Sequence, residues 1–131
     1  MPARAAANRK LGQILGFIHA RLDHNLRQHD AARNAGMSVQ SFSHFFRRFV
    51  GKTYVAYVNE LKVSAVCRSL LETDMTVSEA AYAAGFNNLS HFNTQFRRLK
   101  KTAPHLFRQR AKDITPNELE SLTDRLGRLV H

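Results

Sequence analysis

Apolar residues recur every three or four positions along most of the chain, a spacing that places them on one side of an α-helix. The segment from Asn8 to Leu22 is typical, because Leu11, Ile14 and Ile18 follow this spacing. No stretch shows the alternation of apolar and polar residues that is typical of a half-buried β-strand. The pattern therefore predicts an all-α protein.

Residues that start or stop helices divide the periodic segments. Ser38, Thr53, Thr76 and Asn88 each stand where a side-chain oxygen can cap a first turn, and Glu79 completes a capping-box pattern with Thr76. Glycines fit the helix stops. The predicted helices are Asn8–Leu22, Gln28–Ala35, Val39–Val50, Tyr54–Leu71, a segment from Val77 that ends at Gly85, Leu89–Lys100, His105–Ala111 after Pro104, and Pro116–Val130 in the tail.

One pattern occurs twice. The stretches AGMSVQSFSHFFRRF at 35–49 and AGFNNLSHFNTQFRRL at 84–99 both begin with Ala-Gly and both reach Phe-Arg-Arg near their end. The Phe-Arg-Arg triplets are 50 positions apart and the glycines 49, so the second copy has one extra residue in its turn. Each copy reads as a helix, a glycine turn, a capping residue and a second helix, which is the helix-turn-helix pattern.

The second helix of each copy has two faces. The apolar positions predict a buried face made of Val39, Phe42, Phe46 and Phe49 in the first copy and of Leu89, Phe92, Phe96 and Leu99 in the second. The outward positions hold Gln40, Ser43, His44 and Arg47 in the first copy and Ser90, Asn93, Thr94 and Arg97 in the second. Short hydrogen-bonding side chains can meet base edges, and the two Arg-Arg pairs stand where backbone phosphates would flank a groove. A solvated surface is the alternative for one such helix, but duplication in a basic chain favours DNA.

The charge is unevenly distributed. Twenty Lys and Arg face ten Asp and Glu, for a net charge of +10. Residues 1–112 hold eighteen basic and six acidic residues, whereas residues 113–131 hold two basic and four acidic ones. A basic body with a slightly acidic tail indicates a polyanionic partner. A basic protein with a solvated surface, or one that binds a membrane surface, is the alternative, although the basic residues are not gathered on one long amphipathic helix.

Several other kinds of site find no support in the sequence. His19, His24 and His29 are five positions apart, which scatters them around a helix. No cysteine or carboxylate completes a metal site with them, and Cys67, the single cysteine, cannot form an internal disulfide. No catalytic set or phosphate-binding loop is recognisable. We therefore predict no enzymatic activity, no metal and no cofactor.

The chain contains no apolar run long enough to cross a membrane and no pattern of a signal peptide. These observations predict a cytoplasmic protein that binds no membrane, and DNA as the partner would make it nucleoid-associated.

Duplication has a physical reason if the partner is DNA. One small motif buries too little surface for useful specificity, whereas two motifs can enter successive major grooves about 34 Å or 10 bp apart. A helix over 54–71 would span roughly 27 Å and serve as the spacer. The predicted organisation is a first helix-turn-helix subdomain at 8–51, a linker helix at 53–71, a second subdomain at 72–112 and a tail at 113–131.

The chain resembles the DNA-binding domain of the AraC/XylS family of bacterial transcription regulators. The resemblance runs from about Ile14 to Arg110. It rests on TVSEAAYAAGFNNLSHFNTQFRRLKKTAPHLFRQR in the second half, and on AGMS, the first Phe-Arg-Arg and Gly51 in the first, followed by Tyr57 and Leu61-Lys62. The family implies seven helices in two subdomains joined by a long helix, and a sequence-specific DNA binder that is usually an activator and also contacts RNA polymerase.

The resemblance also assigns residue roles. The implied base-reading residues are Gln40, Ser43 and His44 in the first copy and Leu89, Ser90, Asn93 and Thr94 in the second. The expected phosphate contacts are Arg47, Arg48, Arg97, Arg98, Lys100 and Lys101. Double-stranded DNA is thus the expected partner, and no small molecule is expected to bind this chain.

The chain departs from the family pattern at several positions. His44 and Thr94 stand where the family often has Arg, which makes the strongest contact to guanine, so we expect weaker base readout or more contacts to A·T pairs. Arg27, Gln28 and Ala31 replace a helix cap and two core leucines, so we expect a more loosely packed first subdomain. Lys101 replaces a glycine and Ala103 a threonine.

A second hypothesis is a protein-interaction module or co-regulator that has lost strong DNA readout. The leucine-striped tail could then dock on a partner or dimerise. Salt dependence separates the two hypotheses, because a protein that contacts several phosphates loses affinity steeply as salt rises. The oligomeric state, and whether the chain is a stand-alone regulator or part of a longer one, stay open at this point.

Overall fold

The computed structural model describes residues 2–24 and 26–113, together with 117, 120, 121 and 123–125. Every regular element within these residues is a helix. The helices are α1 (Pro2–Ala20), α2 (Gln28–Asn34), α3 (Val39–Val50), α4 (Tyr54–Glu72), α5 (Val77–Ala83), α6 (Leu89–Lys100) and α7 (Pro104–Lys112). The all-α prediction is confirmed. The predicted tail helix at 116–130 lies mostly outside the described residues, and its six described positions are helical.

Among the described helices, none combines the length and the apolar character that a membrane span requires.

The four predicted capping residues each close the first turn of a helix. The Ser38 hydroxyl accepts the N–H of Ser41 at 3.1 Å, and the Asn88 amide oxygen accepts that of His91 at 2.9 Å. Thr53 and Thr76 cap α4 and α5 in the same way. Only the Thr76 half of the capping box at α5 forms, through an N–H···O bond of 3.0 Å from Glu79.

Four helices are followed, within two residues, by a residue in the left-handed backbone conformation. Gly36, Gly51 and Gly85 have φ values of 69°, 87° and 102°, as the predicted stops require. Lys101 is the one residue other than glycine with positive φ among the described residues, at 61°. It occupies the same position after α6 that Gly51 occupies after α3.

Helix α1 begins at Pro2, six residues before the predicted start at Asn8, so the predicted boundary is wrong. Apolar periodicity could not indicate this turn, because its residues are mainly alanines. Alanine has the highest helix propensity, and proline is favourable at a first helical position. The added residues 3–6 are exposed, so propensity rather than packing extends this helix.

The buried residues form two cores. The first lies between α1, α2, α3 and the start of α4, and consists of Ile14, Ile18, Ala31, Ala32, Ala35, Phe42, Phe46, Tyr54 and Val58. The second lies between the rest of α4, α5 and α6, and consists of Val63, Val66, Cys67, Leu70, Ala80, Ala81, Ala84, Phe86, Phe92 and Phe96. Phe107 of α7 packs against this second core.

The repeat is longer in space than the helix-turn-helix alone. Tyr57 of α4 packs edge-on against Phe46 with ring centroids 5.5 Å apart, and Phe107 of α7 packs against Phe96 at 5.7 Å. Tyr57 and Phe107 are 50 positions apart, like the two phenylalanines they contact. Helix α4 is therefore the last helix of the first copy, equivalent to α7 in the second. It is also the first helix of the second copy, equivalent to α1 in the first.

Candidate nucleic-acid interface

Helices α3 and α6 are each anchored by two buried phenylalanines at equivalent positions. Phe42 and Phe46 of α3, and Phe92 and Phe96 of α6, are wholly buried. Because these residues lie on one side, the opposite face is turned outward. The residues exposed on it are Gln40, Ser43, His44 and Arg47 in α3 and Ser90, Asn93, Thr94 and Arg97 in α6. The predicted outward faces are confirmed.

The predicted buried face of α3 is wrong at its two ends. Val39 is 47% exposed and Phe49 is 44% exposed. The Phe49 ring instead packs against Phe45 in a tilted arrangement, with ring centroids 4.7 Å apart, and the guanidinium of Arg48 lies 5.4 Å from the centre of the Phe49 ring. The residues at the two ends of a helix bury less surface because neighbouring helices cross it near its middle.

The ends of α6 are better covered. Leu89 and Leu99 are half-buried and pack against the second core. Leu89 was expected both on the apolar face and among the base-reading residues, and part of its side chain packs against the second core. Its remaining surface lies at the start of α6, next to Ser90.

The polar side chains of the outward faces are largely uncommitted. Among the described residues, no hydrogen bond engages the side chains of Gln40, Ser43, His44, Ser90 or Asn93. The Thr94 hydroxyl donates to the Ser90 carbonyl at 3.0 Å, which leaves its oxygen able to accept. A ligand could therefore bind most of these groups without breaking an existing hydrogen bond.

Positive charge gathers at the ends of both helices. Neither α3 nor α6 contains an acidic residue. Arg47 and Arg97 are exposed and extend from the outward faces, whereas Arg98 donates two hydrogen bonds to the Gln95 side chain, at 3.2 and 2.7 Å. Lys100 is half-buried and Lys101 exposed. Basic residues at a helix C-terminus also stabilise the helix, so the charges have a structural role besides any contact with an anion.

Two lysines to which the sequence analysis assigned no role support the turns of the two copies. Lys10 of α1 donates to the Ala35 carbonyl at 2.7 Å, and Lys62 of α4 donates to the Gly85 carbonyl at 3.0 Å. They are 52 positions apart, as are Ile14 and Val66 in the two cores. Extending the repeat to the preceding helices would have found this pair.

Within the part of the chain that the structure describes, no three His, Cys, Asp or Glu side chains come together in a way that could hold a metal ion. The outward faces consist of hydrogen-bonding groups and cations, which are complementary to an anionic, polar surface.

A family model described as a helix-turn-helix domain matches residues 31–110. The regulatory protein PocR of Salmonella typhimurium is 28% identical over 104 residues, covering 79% of this chain and 34% of PocR. The transcriptional activator NphR of a Rhodococcus species is 33% identical over 87 residues, covering 66% of this chain and 26% of NphR. The chain thus spans about a third of the length of such relatives.

A solved structure shares the fold. The DNA-binding domain of the global transcriptional factor AdpA, determined in complex with a target DNA, superposes with a TM-score of 0.76. The two chains are 23% identical, and the alignment covers 79% of this chain and 93% of that domain.

Proposed function

The chain belongs to the AraC-type helix-turn-helix family of transcription regulators, and on this premise we propose that it binds double-stranded DNA in a sequence-specific manner through α3 and α6. The observation that carries the proposal is the pair of matching outward faces, each ending in exposed arginine, in a chain of net charge +10. The rival function, a protein-interaction module without DNA readout, is not favoured by this family membership.

In the proposed complex, α3 and α6 enter successive major grooves on one side of the duplex. Adjacent grooves on one side are about 34 Å apart. Helix α4 has 19 residues, and a helix of that length spans about 28 Å. Helix α3 contacts the first turns of α4 at Tyr54 and Tyr57, and α6 packs against the second half of α4, so α4 can serve as the spacer. We propose two subdomains, at 8–51 and 72–112, joined by a linker at 53–71 that contributes residues to both cores.

We propose that the outward side chains read bases and the flanking cations hold phosphates. Asn93 is the best-suited base-reading residue, because an amide can make two hydrogen bonds to adenine. The other proposed base-reading residues are Gln40, Ser43, His44, Leu89, Ser90 and Thr94. The proposed phosphate contacts are Arg47, Arg48, Arg97, Arg98, Lys100 and Lys101.

The whole-protein activity is also a proposal. The relatives compared above include a transcriptional activator, so we propose activation, with RNA polymerase as the second partner. We propose no enzymatic activity for the chain, because a helix-turn-helix regulator acts by binding DNA and recruiting partners.

Selection from a random DNA pool tests the proposal directly. The purified chain should enrich one sequence, and footprinting should show two protected segments about 10 bp apart. Binding to the enriched duplex should weaken steeply as salt rises, with a log–log slope of about −0.9 for each phosphate neutralised. A pool that stays random after repeated selection, or binding that salt leaves unchanged, contradicts the proposal.

A pair of variants makes the test sharper. Arg97→Ala should weaken binding to all sequences alike and reduce the salt slope by about 1, because one phosphate contact is lost. Arg125→Ala removes a positive charge from the acidic tail and should leave the slope unchanged. Equal effects of the two variants would mean that net charge, and not the position of Arg97, governs binding.

A further inference from the structure

The two copies touch each other at a point outside α4. The chain turns at residues 21–24, after α1, and this corner lies against Gly85 in the turn of the second copy. A Cβ atom on Gly85 would collide with the carbonyl oxygen of Leu22 and lie 3.3 Å from the Cα of Asp23. The side chain of Leu22 packs against the first core. The corner is therefore held by the first copy while its backbone contacts the second.

Lys62 lies against the same turn, with its Cε 3.2 Å from the place where a Cβ atom on Gly85 would stand. It is 9% exposed and lies in the middle of α4, with its Nζ 3.0 Å from the Gly85 carbonyl and 5.5 Å from the centre of the Phe86 ring. Burial lowers the pKa of Lys62, so the buried ammonium depends on the few groups that face it. Gly85 is thus enclosed between a lysine of α4 and the corner after α1.

The first copy supplies an internal reference. Gly36 occupies the corresponding turn position and also has positive φ, at 69°. Among the described residues, nothing lies within 4 Å of the place where its Cβ would stand. The close approach at Gly85 is therefore not a requirement of the helix-turn-helix turn. It arises only because the other half of the molecule lies against it.

Small side chains permit this approach. A shallow cavity beside the corner is lined by His19 and Ala20 of α1, by Ala65 of α4, by Ala83 at the end of α5 and by Ala84 in the second turn. Alanines at these positions let two backbones come close together, because a larger side chain would hold them apart.

We infer that the contact of Leu22 and Asp23 with Gly85, braced by Lys62, fixes the distance and rotation between α3 and α6 and so restricts the protein to one half-site spacing. We call this contact the junction. The inference rests on the proposed function and adds a specificity determinant that does not touch DNA. Lys62 and Gly85 are positioning residues in it, because they act through the orientation of α6.

Rigid coupling has a measurable consequence. Two base pairs inserted between the half-sites rotate one of them by about 70° and move it by about 7 Å, from 10–10.5 bp per turn. A rigid protein cannot follow both changes and loses the contacts of one helix. A flexibly joined pair of motifs follows them, but binds less tightly at the native spacing because its motifs are less well pre-organised.

The experiment uses the duplex that the wild-type protein selects from a random pool, with zero, one or two base pairs inserted between the footprinted half-sites. The wild type should lose at least about tenfold in affinity with two inserted pairs, as for a poorly matched site. Gly85→Ala should bind the native spacing more weakly and reduce the insertion penalty to about threefold or less. Gly36→Ala is the matched control, since it carries similar backbone strain without the collision, and it should keep the wild-type penalty.

A second pair guards against misfolding of Gly85→Ala. Lys62→Met keeps most of the side-chain stem but removes the hydrogen bond to Gly85, whereas Lys10→Met removes the corresponding bond to Ala35 within the first copy. Thermal unfolding would show that both are folded. Only Lys62→Met should lower the insertion penalty.

The outcomes separate the inference from the function on which it rests. A wild type that tolerates two inserted pairs, or folded Gly85→Ala and Lys62→Met variants that keep the full penalty, would overturn the junction and leave DNA binding in place. A wild type that enriches no duplex from the pool would overturn the proposed function and the junction together.

Discussion

The two halves of the molecule hold equivalent helices by different local means. Thr76 precedes α5, and its hydroxyl accepts a backbone N–H. Arg27 precedes α2, and its own backbone N–H donates to the Asp30 carboxylate at 3.3 Å. Each helix nevertheless buries a pair of alanines, Ala31 with Ala32 and Ala80 with Ala81. The buried alanine pair thus holds α2 and α5 in equivalent positions although their first turns are capped differently. A cap contributes only about 1 kcal/mol.

Helices α3 and α6 differ more than α2 and α5, the helices that precede them. Both anchor two phenylalanines, but the ends of α3 are exposed and those of α6 are half-buried. Moreover, only the second turn is enclosed by the other half of the chain. The expectation of a more loosely packed first subdomain stays a prediction, and comparison of equivalent residues tests it.

The largest effects are expected in the two cores. Phe46→Ala and Phe96→Ala each remove a wholly buried ring that contacts other aromatic rings, so each should lower the free energy of unfolding by about 3–5 kcal/mol. Looser packing lets a site collapse around the cavity, so Phe46→Ala should cost less than Phe96→Ala. Urea unfolding followed by circular dichroism measures both. A larger loss for Phe46→Ala would contradict the expected difference in packing.

The next effect compares base reading by the two outward faces. Asn93 and Ser43 are 50 positions apart, and both are exposed. Asn93→Ala should relax the preference at one base pair by about 1–3 kcal/mol, whereas Ser43→Ala should have a smaller effect because a hydroxyl makes fewer contacts. Affinities for duplexes that differ at single base pairs give both values. Unchanged preferences after Asn93→Ala would show that the assigned reading face is wrong.

Alkaline pH should affect one buried group in each half. Burial raises the pKa of the Cys67 thiol to about 11, opposed by Lys100 and a backbone hydrogen bond, while burial and then Asp30 raise the pKa of Tyr54 to about 12. A group whose pKa is raised by folding stabilises the protein below its unfolded pKa, and the contribution is lost as pH rises to the folded value. The contribution of Cys67 is thus lost from about pH 9 to 11 and that of Tyr54 from about pH 10 to 12.

Two variants separate these groups. Cys67→Ala should lack a loss of about 2 kcal/mol that the wild type shows between pH 8 and 11. Tyr54→Phe should keep that loss and change the curve only above about pH 10. Chemical unfolding at a series of pH values measures the difference. Parallel curves for the wild type and Cys67→Ala would mean that the thiol ionises in the folded protein as it does in the unfolded chain.

The smallest expected effect concerns the helix ends at Gly51 and Lys101, which are equivalent left-handed positions. Glycine tolerates this conformation and lysine is strained in it, so Lys101→Gly should raise the free energy of unfolding by about 0.5–1 kcal/mol. It should also weaken DNA binding and reduce the salt slope by about 1, because a proposed phosphate contact is lost. Gly51→Lys, the reverse change in the first copy, should destabilise the fold. If Lys101→Gly stabilised the protein but left its DNA affinity unchanged, Lys101 would not be a phosphate contact.

Much of the fold could be predicted from local rules. The capping residues Ser38, Thr53, Thr76 and Asn88 predicted four helix starts, because a cap acts within three residues of itself. The outward faces of α3 and α6 were predicted from the three- and four-residue spacing of their side chains, which also acts over a short stretch of chain. The early start of α1 was missed because alanine signals helix by propensity and leaves no apolar period.

The outward faces of α3 and α6 could be predicted from the sequence, but the burial of residues at the ends of these helices could not. The exposure of Val39 and Phe49 depends on how far neighbouring helices extend along α3, which no local pattern records. The hydrogen bonds of Arg98 to Gln95 and the packing of Leu89 against the second core likewise depend on the folded arrangement.

The sequence by itself determined the helices, their caps, the duplicated helix-turn-helix and the basic character of the chain, because periodicity and capping act between residues a few positions apart. Only the tertiary structure decided that α4 belongs to both copies and that Leu22 closes over Gly85. These contacts join residues far apart in the chain, and their geometry depends on how two separate cores pack on the same helix.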